Sequence, residues 1–371
     1  MQARVLTSTI GSDGLLRLRI ERRVLGSPGP GQVLVQMEAA PLNPSDQFLL
    51  LGSAKLNSAR TCRVGSDREL VVEVGGNWRE MFRARLDRPL EVGIEGAGTV
   101  IATGEGAELS LGQKVSIFGS GAYATHRLVS TKDCVPLPPD VTLLEASALF
   151  VNPLTSLVLL EAARAGGHRG IVQTAAASSL GQMVAKVCQE DGVPLVNIVR
   201  NAGQIELLEA IGAANVVNSS AVDFEEQLLW AIGRTKATAA FDAVGGGSLA
   251  DSIFKAMEAV ASRSCDEYSP YGSGIFKQLY IYGGLDPSPT VLSRHYGVSW
   301  GITVFFLLNE LSRVGEARFG ELIGRILKGI QTTFATDYAG LMAFDDLLDS
   351  SALLAATLRR TGEKFAVRLN W

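Results

Sequence analysis

The stretch GIVQTAAASSLGQMVAKVCQEDG, residues 170–192, decides the fold. Its β-branched opening, Ile171 and Val172, runs into small residues from Ala175 to Ser179 and then Gly181. Leu180, Val184, Val187 and Cys188 follow on one face at helical spacing. Strand, tight turn and helix N-terminus in that order bring backbone N–H groups and a helix dipole to one point, where a diphosphate can approach if no bulky side chain intervenes. Ala177, Ser178, Ser179, Leu180 and Gly181 are therefore expected to touch a dinucleotide. A close-packed junction without a ligand uses the same small residues, so the turn alone leaves both readings open.

The next strand, PLVNIVR, ends at Arg200, where a dinucleotide fold meets the adenosine ribose. An acid there would accept from both ribose hydroxyls. Arg200, followed by Asn201 and Gln204, instead offers donors to a 2′-phosphate, which predicts NADPH over NADH. An exposed arginine at a strand end is the competing reading. Two later turns, FDAVGGG and YIYGGL, put glycines at strand exits, the ligand-binding edge of open α/β sheets. Val244, Gly245, Tyr282, Gly283 and Gly284 are expected to line the nicotinamide side, although glycine at a strand exit is also ordinary punctuation.

Outward from this core, strands alternate with helices from about Val141, as parallel βαβ units require. The segment 303–331 reads as mainly helical, and KFAVRLN near the end reads as a strand that rejoins the first domain. Upstream, LLRLRIERR and QVLVQMEAA flank SPGPGQ, which suits a hairpin connection, and glycine-broken Val and Ile runs from Gly93 suit a small bent barrel. Between Gly52 and Gly93 lies an arginine-rich excursion with a strand at LVVEV and a short helix at NWREMFRARL. It is read as a solvated face, with a lid as the alternative.

With 371 residues, 47% apolar and 19% charged, the chain is long enough for two cores and too apolar for disorder. A net charge of −4 argues against nucleic acid and anionic lipid as partners and favours a small-molecule substrate. Cys62, Cys134, Cys188 and Cys265 form no paired spacing, so neither a disulfide framework nor a zinc cluster is read. His126, His168 and His295 suggest surface or hydrogen-bonded residues, not a ligand set. The start lacks a secretory h-region and no run is long enough to span a bilayer, so a soluble, uncleaved, cytoplasmic protein is expected.

In order, LNPSD (42–46), GIEGAGTV (93–100), LGQKV (111–115), GAYATH (121–126), NPLTS (152–156), the AAASSLG turn, NIVR, FDAVGG and YIYGG span nearly the whole chain. Together they resemble the medium-chain dehydrogenase/reductase superfamily, and within it the zinc-independent quinone oxidoreductase and enoyl thioester reductase branches. The resemblance implies an α/β protein with a GroES-like β-barrel domain (1–141 and 306–371) and an inserted Rossmann-type NADPH-binding domain (142–305). It implies an active site in the cleft between them and pairing into a homodimer or higher homo-oligomer. It places Asn43 beside the nicotinamide or substrate, and Asn152 and Thr155 along the cofactor. Asn43 also suits a helix N-cap before Pro44.

Metal-dependent relatives carry Gly-His-Glu where this chain has Gly93-Ile94-Glu95, and an aliphatic side chain cannot coordinate zinc. The chemistry implied is hydride transfer from NADPH to a quinone or an α,β-unsaturated carbonyl. Two alternatives are an enoyl thioester reductase and a non-catalytic dinucleotide-binding protein. The thioester branch carries a tyrosine shortly after NPSD as proton donor. Here QFLLLGSAKL follows Asp46, and no tyrosine occurs between Gly52 and Gly93. Ser178 takes a turn position that is usually glycine in the family.

Overall fold

The computed structural model describes every residue except Ser66, 264–268, 358–360, 362–363 and Trp371. Cys265 thus lies outside the described residues. In chain order come β1 (Gln2–Ile10), β2 (Leu15–Val24), β3 (Gln32–Pro41), α1 (Pro44–Leu51), β4 (Arg60–Val64), β5 (Asp67–Glu73), α2 (Trp78–Met81), β6 (Leu90–Glu91) and β7 (Glu95–Thr103). Next are β8 (Lys114–Phe118), β9 (His126–Ser130), β10 (Cys134–Pro136), α3 (Leu143–Ala146), α4 (Val151–Ala165), β11 (Gly170–Gln173), α5 (Ser179–Glu190), β12 (Leu195–Val199), α6 (Ala202–Ala210) and β13 (Val216–Asn218). The rest comprises α7 (Phe224–Thr235), β14 (Ala237–Asp242), α8 (Leu249–Arg263), β15 (Lys277–Ile281), β16 (Trp300–Val304), α9 (Leu307–Leu311), α10 (Glu316–Lys328), β17 (Gly340–Ala343), α11 (Ser350–Thr357) and β18 (Phe365–Arg368).

Two compact units emerge, Met1–Val151 with Ile326–Trp371, and Asn152–Arg325. The expected boundaries at 141/142 and 305/306 fall earlier in the chain. The first helical turn after Asp140 stays with the β unit, because Ser116 Oγ donates to the Ala146 carbonyl (2.9 Å) and Lys114 Nζ to that of Val141 (3.2 Å). At the other end, α10 is tied to the α/β unit by Arg325, which pairs with Asp191 at 2.8 Å.

The β unit holds a sheet ordered β4-β5-β2-β1-β6 and another ordered β10-β8-β7-β3-β18-β17, with β9 also on β3. Period-two alternation builds its core: Leu6, Ile10, Leu16 and Leu18 from the first sheet cluster with Val33, Val35, Met37, Val115 and Ile117 from the second. Each such side chain contributes about 1.5–3 kcal/mol on burial. The SPGPGQ segment is not a hairpin turn. β2 pairs with β1 and β5, whereas β3 pairs with β7, β9 and β18, so the segment carries the chain between sheets. Pro28 and Pro30 lack the N–H that a continuing ladder needs. The hairpin is β1–β2, closed by Gly14 N–H donating to the Gly11 carbonyl at a φ of +82°.

The arginine-rich excursion contains the expected strand and short helix, plus β4, which the sequence reading missed. β4 and β5 form an antiparallel hairpin added to β2, with Arg19 pairing with Glu69 at 2.6 Å.

The α/β unit holds a wholly parallel sheet ordered β13-β12-β11-β14-β15-β16. Val172, Val196, Ile198, Ala240 and Leu279 from its strands are buried against Ile253, Phe254 and Met257 of α8 and Leu228 and Ile232 of α7. The expectation of helix from 303 onward is corrected at its start, because Thr303 and Val304 close strand β16. Ile302, Thr303 and Val304 are all β-branched, which favours the extended chain. Among the described residues no helix is long and apolar enough to cross a membrane.

Candidate functional site

β11 delivers the chain into the turn with Ala175 at a φ of +48°, a left-handed conformation that L-residues other than glycine rarely adopt. The unusual position is thus Ala175, not Ser178, whose φ of −67° and ψ of 161° are ordinary for an N-cap. Ser178 Oγ accepts from Gly181 N–H at 3.1 Å, so that amide is already satisfied. Gly181 is buried, and a Cβ there would lie 2.4 Å from the Ala176 carbonyl oxygen. Its role is close strand–helix packing. The N–H groups of Ser179 and Leu180, in the first turn of α5, have no intrahelical acceptor by geometry and remain the best donors to an anion. Asn152 Nδ2 reaches Ser179 Oγ at 3.3 Å, and Thr155 lies buried one turn further along α4.

The two glycine turns interlock. Asp242, buried at the end of β14, accepts from Thr174 Oγ1 (2.7 Å) and from the N–H groups of Val244 (2.9 Å) and Gly245 (3.1 Å). A Cβ on Gly245 would meet the Gly283 carbonyl oxygen at 2.9 Å, and one on Gly283 would meet that of Ala243 at 2.6 Å. These glycines let two backbones touch. Gly284 has open space around it instead. The Tyr282 hydroxyl is buried without a hydrogen-bond partner, and burial pushes its acidity far below that of free tyrosine.

Arg200 is exposed at the end of β12, with its N–H donating to Gln204 Oε1 at 2.8 Å. Asn201 caps α6, its Oδ1 accepting from Gln204 N–H at 3.0 Å. The donor left facing outward is chiefly the Arg200 guanidinium. Parallel pairing of Val199 with Asn218 sets Ser219 beside Arg200, and Ser219 N–H donates to the Val199 carbonyl. Ser219 escaped the sequence reading because only strand pairing makes it a neighbour.

In the β unit, Asn43 occupies the N-cap position of α1 and is fully buried. Its side chain turns away from the helix: Nδ2 donates to Glu95 Oε1 at 2.8 Å, and Oδ1 has no partner. Glu95 Oε2 accepts from the N–H groups of Phe150 (2.8 Å) and Val151 (3.0 Å). Asp46 accepts from Asn43 N–H (3.0 Å) and Ile94 N–H (2.9 Å). Burial pushes the Asp46 carboxyl up to about 7, with the Glu95 charge adding to the rise and the hydrogen bonds opposing it. Burial raises Glu95 as well, and Lys364 opposes the rise. The Tyr123 hydroxyl donates to the Pro41 carbonyl, and Tyr338 pairs with Ser147 Oγ at 2.9 Å. Sequence motifs exposed Asp46 and Glu95 without assigning them roles. Lys364 and Tyr338 carried no local signal.

The segment 29–139 matches the alcohol dehydrogenase GroES-like domain. Over the full length, the chain superposes on a Mesorhizobium loti protein provisionally named an NADPH:quinone reductase, with a TM-score of 0.70, 24% identity, and 99% and 98% of the two chains covered. The two chains share one fold, and part of the β unit is the GroES-like domain. Among curated relatives, the mitochondrial enoyl-[acyl-carrier-protein] reductase of Caenorhabditis elegans is 28% identical over 55% of this chain and 53% of its own length. The 2-haloacrylate reductase of a Burkholderia species is 24% identical over 69% and 70%. The chain thus spans little more than half the length of the enoyl reductase it matches.

Within this fold, the α/β unit gathers Asn152, Ser178, Ser179, Leu180 and Gly181 at one strand-to-helix junction and interlocks Val244, Gly245, Tyr282, Gly283 and Gly284 at the neighbouring strand ends. Ala177 is buried in the core beside Val199 and Leu208, so its contribution to a ligand is through its backbone. His126 and His168 hydrogen-bond to Thr125 and Thr238, while His295 is exposed.

Proposed function

We propose that this chain is an NADPH-dependent oxidoreductase acting on quinones or α,β-unsaturated carbonyl compounds. The observation that carries the reading is the junction at 175–181, a left-handed Ala175 followed by an α5 N-terminus whose Ser179 and Leu180 N–H groups lie in the first helical turn, beyond the reach of any intrahelical acceptor. The orphaned Tyr282 hydroxyl and the open flank of Gly284 fit a large polar ligand. Ser179 and Leu180 would bind the diphosphate, Arg200 the 2′-phosphate, and Asn152 and Thr155 would orient the junction. When bound, the nucleotide supplies a hydride. By the resemblance alone, Asn43, held by Glu95, would be an orienting group for the reactants.

A second reading, reduction of an enoyl thioester, is favoured by the C. elegans relative, whose name states that activity. The missing tyrosine after Asp46 weighs against it. The exposed edge of β16, with Val304 at 76% and Phe306 just beyond it at 54% exposure, supports assembly into a homo-oligomer.

The test is absorbance-monitored oxidation of NADPH and NADH against a panel of quinones, enones and a crotonyl thioester. Turnover with NADPH and a quinone or enone supports the first reading, and faster reduction of the thioester supports the second. Tight NADPH binding without turnover of any acceptor points to a non-catalytic binding protein.

A further inference from the structure

Four strand ends of the β unit meet at one place. Antiparallel pairing of Ala366 with Pro41, continued by the Leu42 N–H bond to the Phe365 carbonyl (2.9 Å), sets Lys364 opposite Asn43. On the far side of β3, β7 begins at Glu95, which Asn43 Nδ2 touches. On the far side of β18, Ala339 N–H donates to the Lys364 carbonyl at 2.8 Å and brings Tyr338 alongside. Lys364 Nζ is buried at this point without a hydrogen-bond partner. A buried amine with no partner is costly unless charge nearby offsets it, and the acids present are Glu95 and Asp46.

Glu95 is the hub. One carboxylate accepts from Asn43 Nδ2 and from the N–H groups of Phe150 and Val151, and a proton on it would set a donor against these donors. We propose that Lys364 is a positioning residue, whose buried ammonium keeps Glu95 a carboxylate so that Glu95 can fix the Asn43 amide and the Phe150–Val151 backbone. The groups facing Glu95 and Lys364 are Asp46 from α1, Tyr123 from the β8–β9 connection and Tyr338 ahead of β17. Lys364 is the cation among them. Burial lowers its own proton affinity, and the two carboxylates oppose that fall.

The consequence for activity rests on the reductase reading, through the expected place of Asn43 beside the reactants. The decisive measurement does not. In the 15N-labelled full chain, the Asn43 side-chain amide resonance, assigned by its loss in Asn43→Ser, is followed from acid to alkaline pH. It shifts as Glu95 gains a proton. Lys364→Met is expected to move the midpoint to higher pH, because a favourable charge is removed from the carboxylate, and Lys364→Arg to move it back.

An unchanged midpoint in folded Lys364→Met overturns the proposal. Should Lys364→Met fail to fold, Lys364→Gln decides, read in an Asp46→Asn background that removes the neighbouring titration: a midpoint above that of Asp46→Asn alone supports the proposal and an unchanged one overturns it. If NADPH-dependent turnover is found, the acid limb of kcat/KM is expected to move in the same direction, with a loss of about tenfold at neutral pH that Lys364→Arg largely rescues. A shifted amide midpoint in a protein without turnover leaves the positioning role standing and removes the reductase reading.

Discussion

Lys277 and Glu258 form an ion pair at 2.6 Å, and the Lys277 side chain is completely shielded from solvent. The pair is fully furnished. Glu258 accepts from Ser262 Oγ (2.7 Å), Ser273 N–H (2.7 Å) and Ser273 Oγ (2.6 Å), while Lys277 Nζ also donates to Ser273 Oγ (2.9 Å) and the Ile275 carbonyl (2.8 Å). It ties α8 to the start of β15 beneath the parallel sheet. Glu258→Gln would leave the buried ammonium uncompensated and is expected to cost about 3 kcal/mol or more in urea unfolding at neutral pH. Burial raises the Glu258 carboxyl, but the bonds from Lys277 and the serines more than reverse this and hold it at about 2. A folded-state value below the ordinary 4.5 means that the stability is present above that value and fades as pH falls toward 2. The deficit of Glu258→Gln should therefore shrink in acid, and a deficit constant down to strongly acidic pH would rule this out.

Asp46 gives the opposite sign. Its carboxyl is raised from 3.8 to about 7, so the folded state holds a proton that the unfolded chain releases more readily. Its contribution is present below 3.8 and is lost as pH rises toward 7. Asp46→Asn, which keeps only one of the two acceptor oxygens that Asn43 and Ile94 N–H use but does not titrate, should gain stability relative to the wild type across that window and hold a constant difference above it. Melting curves of both proteins from acid to mildly alkaline pH measure the difference.

The phosphate turn should respond in opposite directions at two small residues. Ala175→Gly removes a left-handed strain of about 1–2 kcal/mol against a smaller entropic loss, so modest stabilisation is expected. Gly181→Ala forces a Cβ onto the Ala176 carbonyl and should cost about 1–3 kcal/mol while weakening NADPH binding. Paired denaturant curves and calorimetric titrations test both.

Arg200→Ala is expected to raise the Kd for NADPH about tenfold or more while leaving that for NADH nearly unchanged, since only the former carries the phosphate that the guanidinium would bind. Equal losses for the two nucleotides would remove Arg200 from that role.

At the edge of the parallel sheet, Val304→Lys places a charge where backbone groups and apolar side chains are open. Light scattering should show the wild type as an oligomer and the variant shifted toward monomer. A wild type that is monomeric at high concentration ends the proposal.

Much of the α/β unit was legible because its signals are local. β11, the turn and α5 are contiguous, and each later strand and helix announces itself by apolar spacing over a few residues. Where pairing is non-local, the reading faltered. The SPGPGQ segment has the composition of a hairpin turn, yet which sheet receives β3 depends on β7, β9 and β18, and β18 lies more than three hundred positions along the chain. Strands β4 and β16 were missed because their outward faces are arginine-rich or apolar at a sheet edge, which blurs the alternation expected of a half-buried strand.

The sequence by itself determined the alternation of strand and helix in the α/β unit and the small-residue turn before α5, because each is a property of neighbouring side chains and their spacing. Only the tertiary structure decided that Ala175 carries the left-handed backbone, that Gly181 serves packing, and that Lys364, Asn43 and Glu95 share one buried place. The physical reason is that strain, burial and charge coupling depend on which distant strands become neighbours. That follows from the free energy of the whole folded unit, not from any short segment's preference.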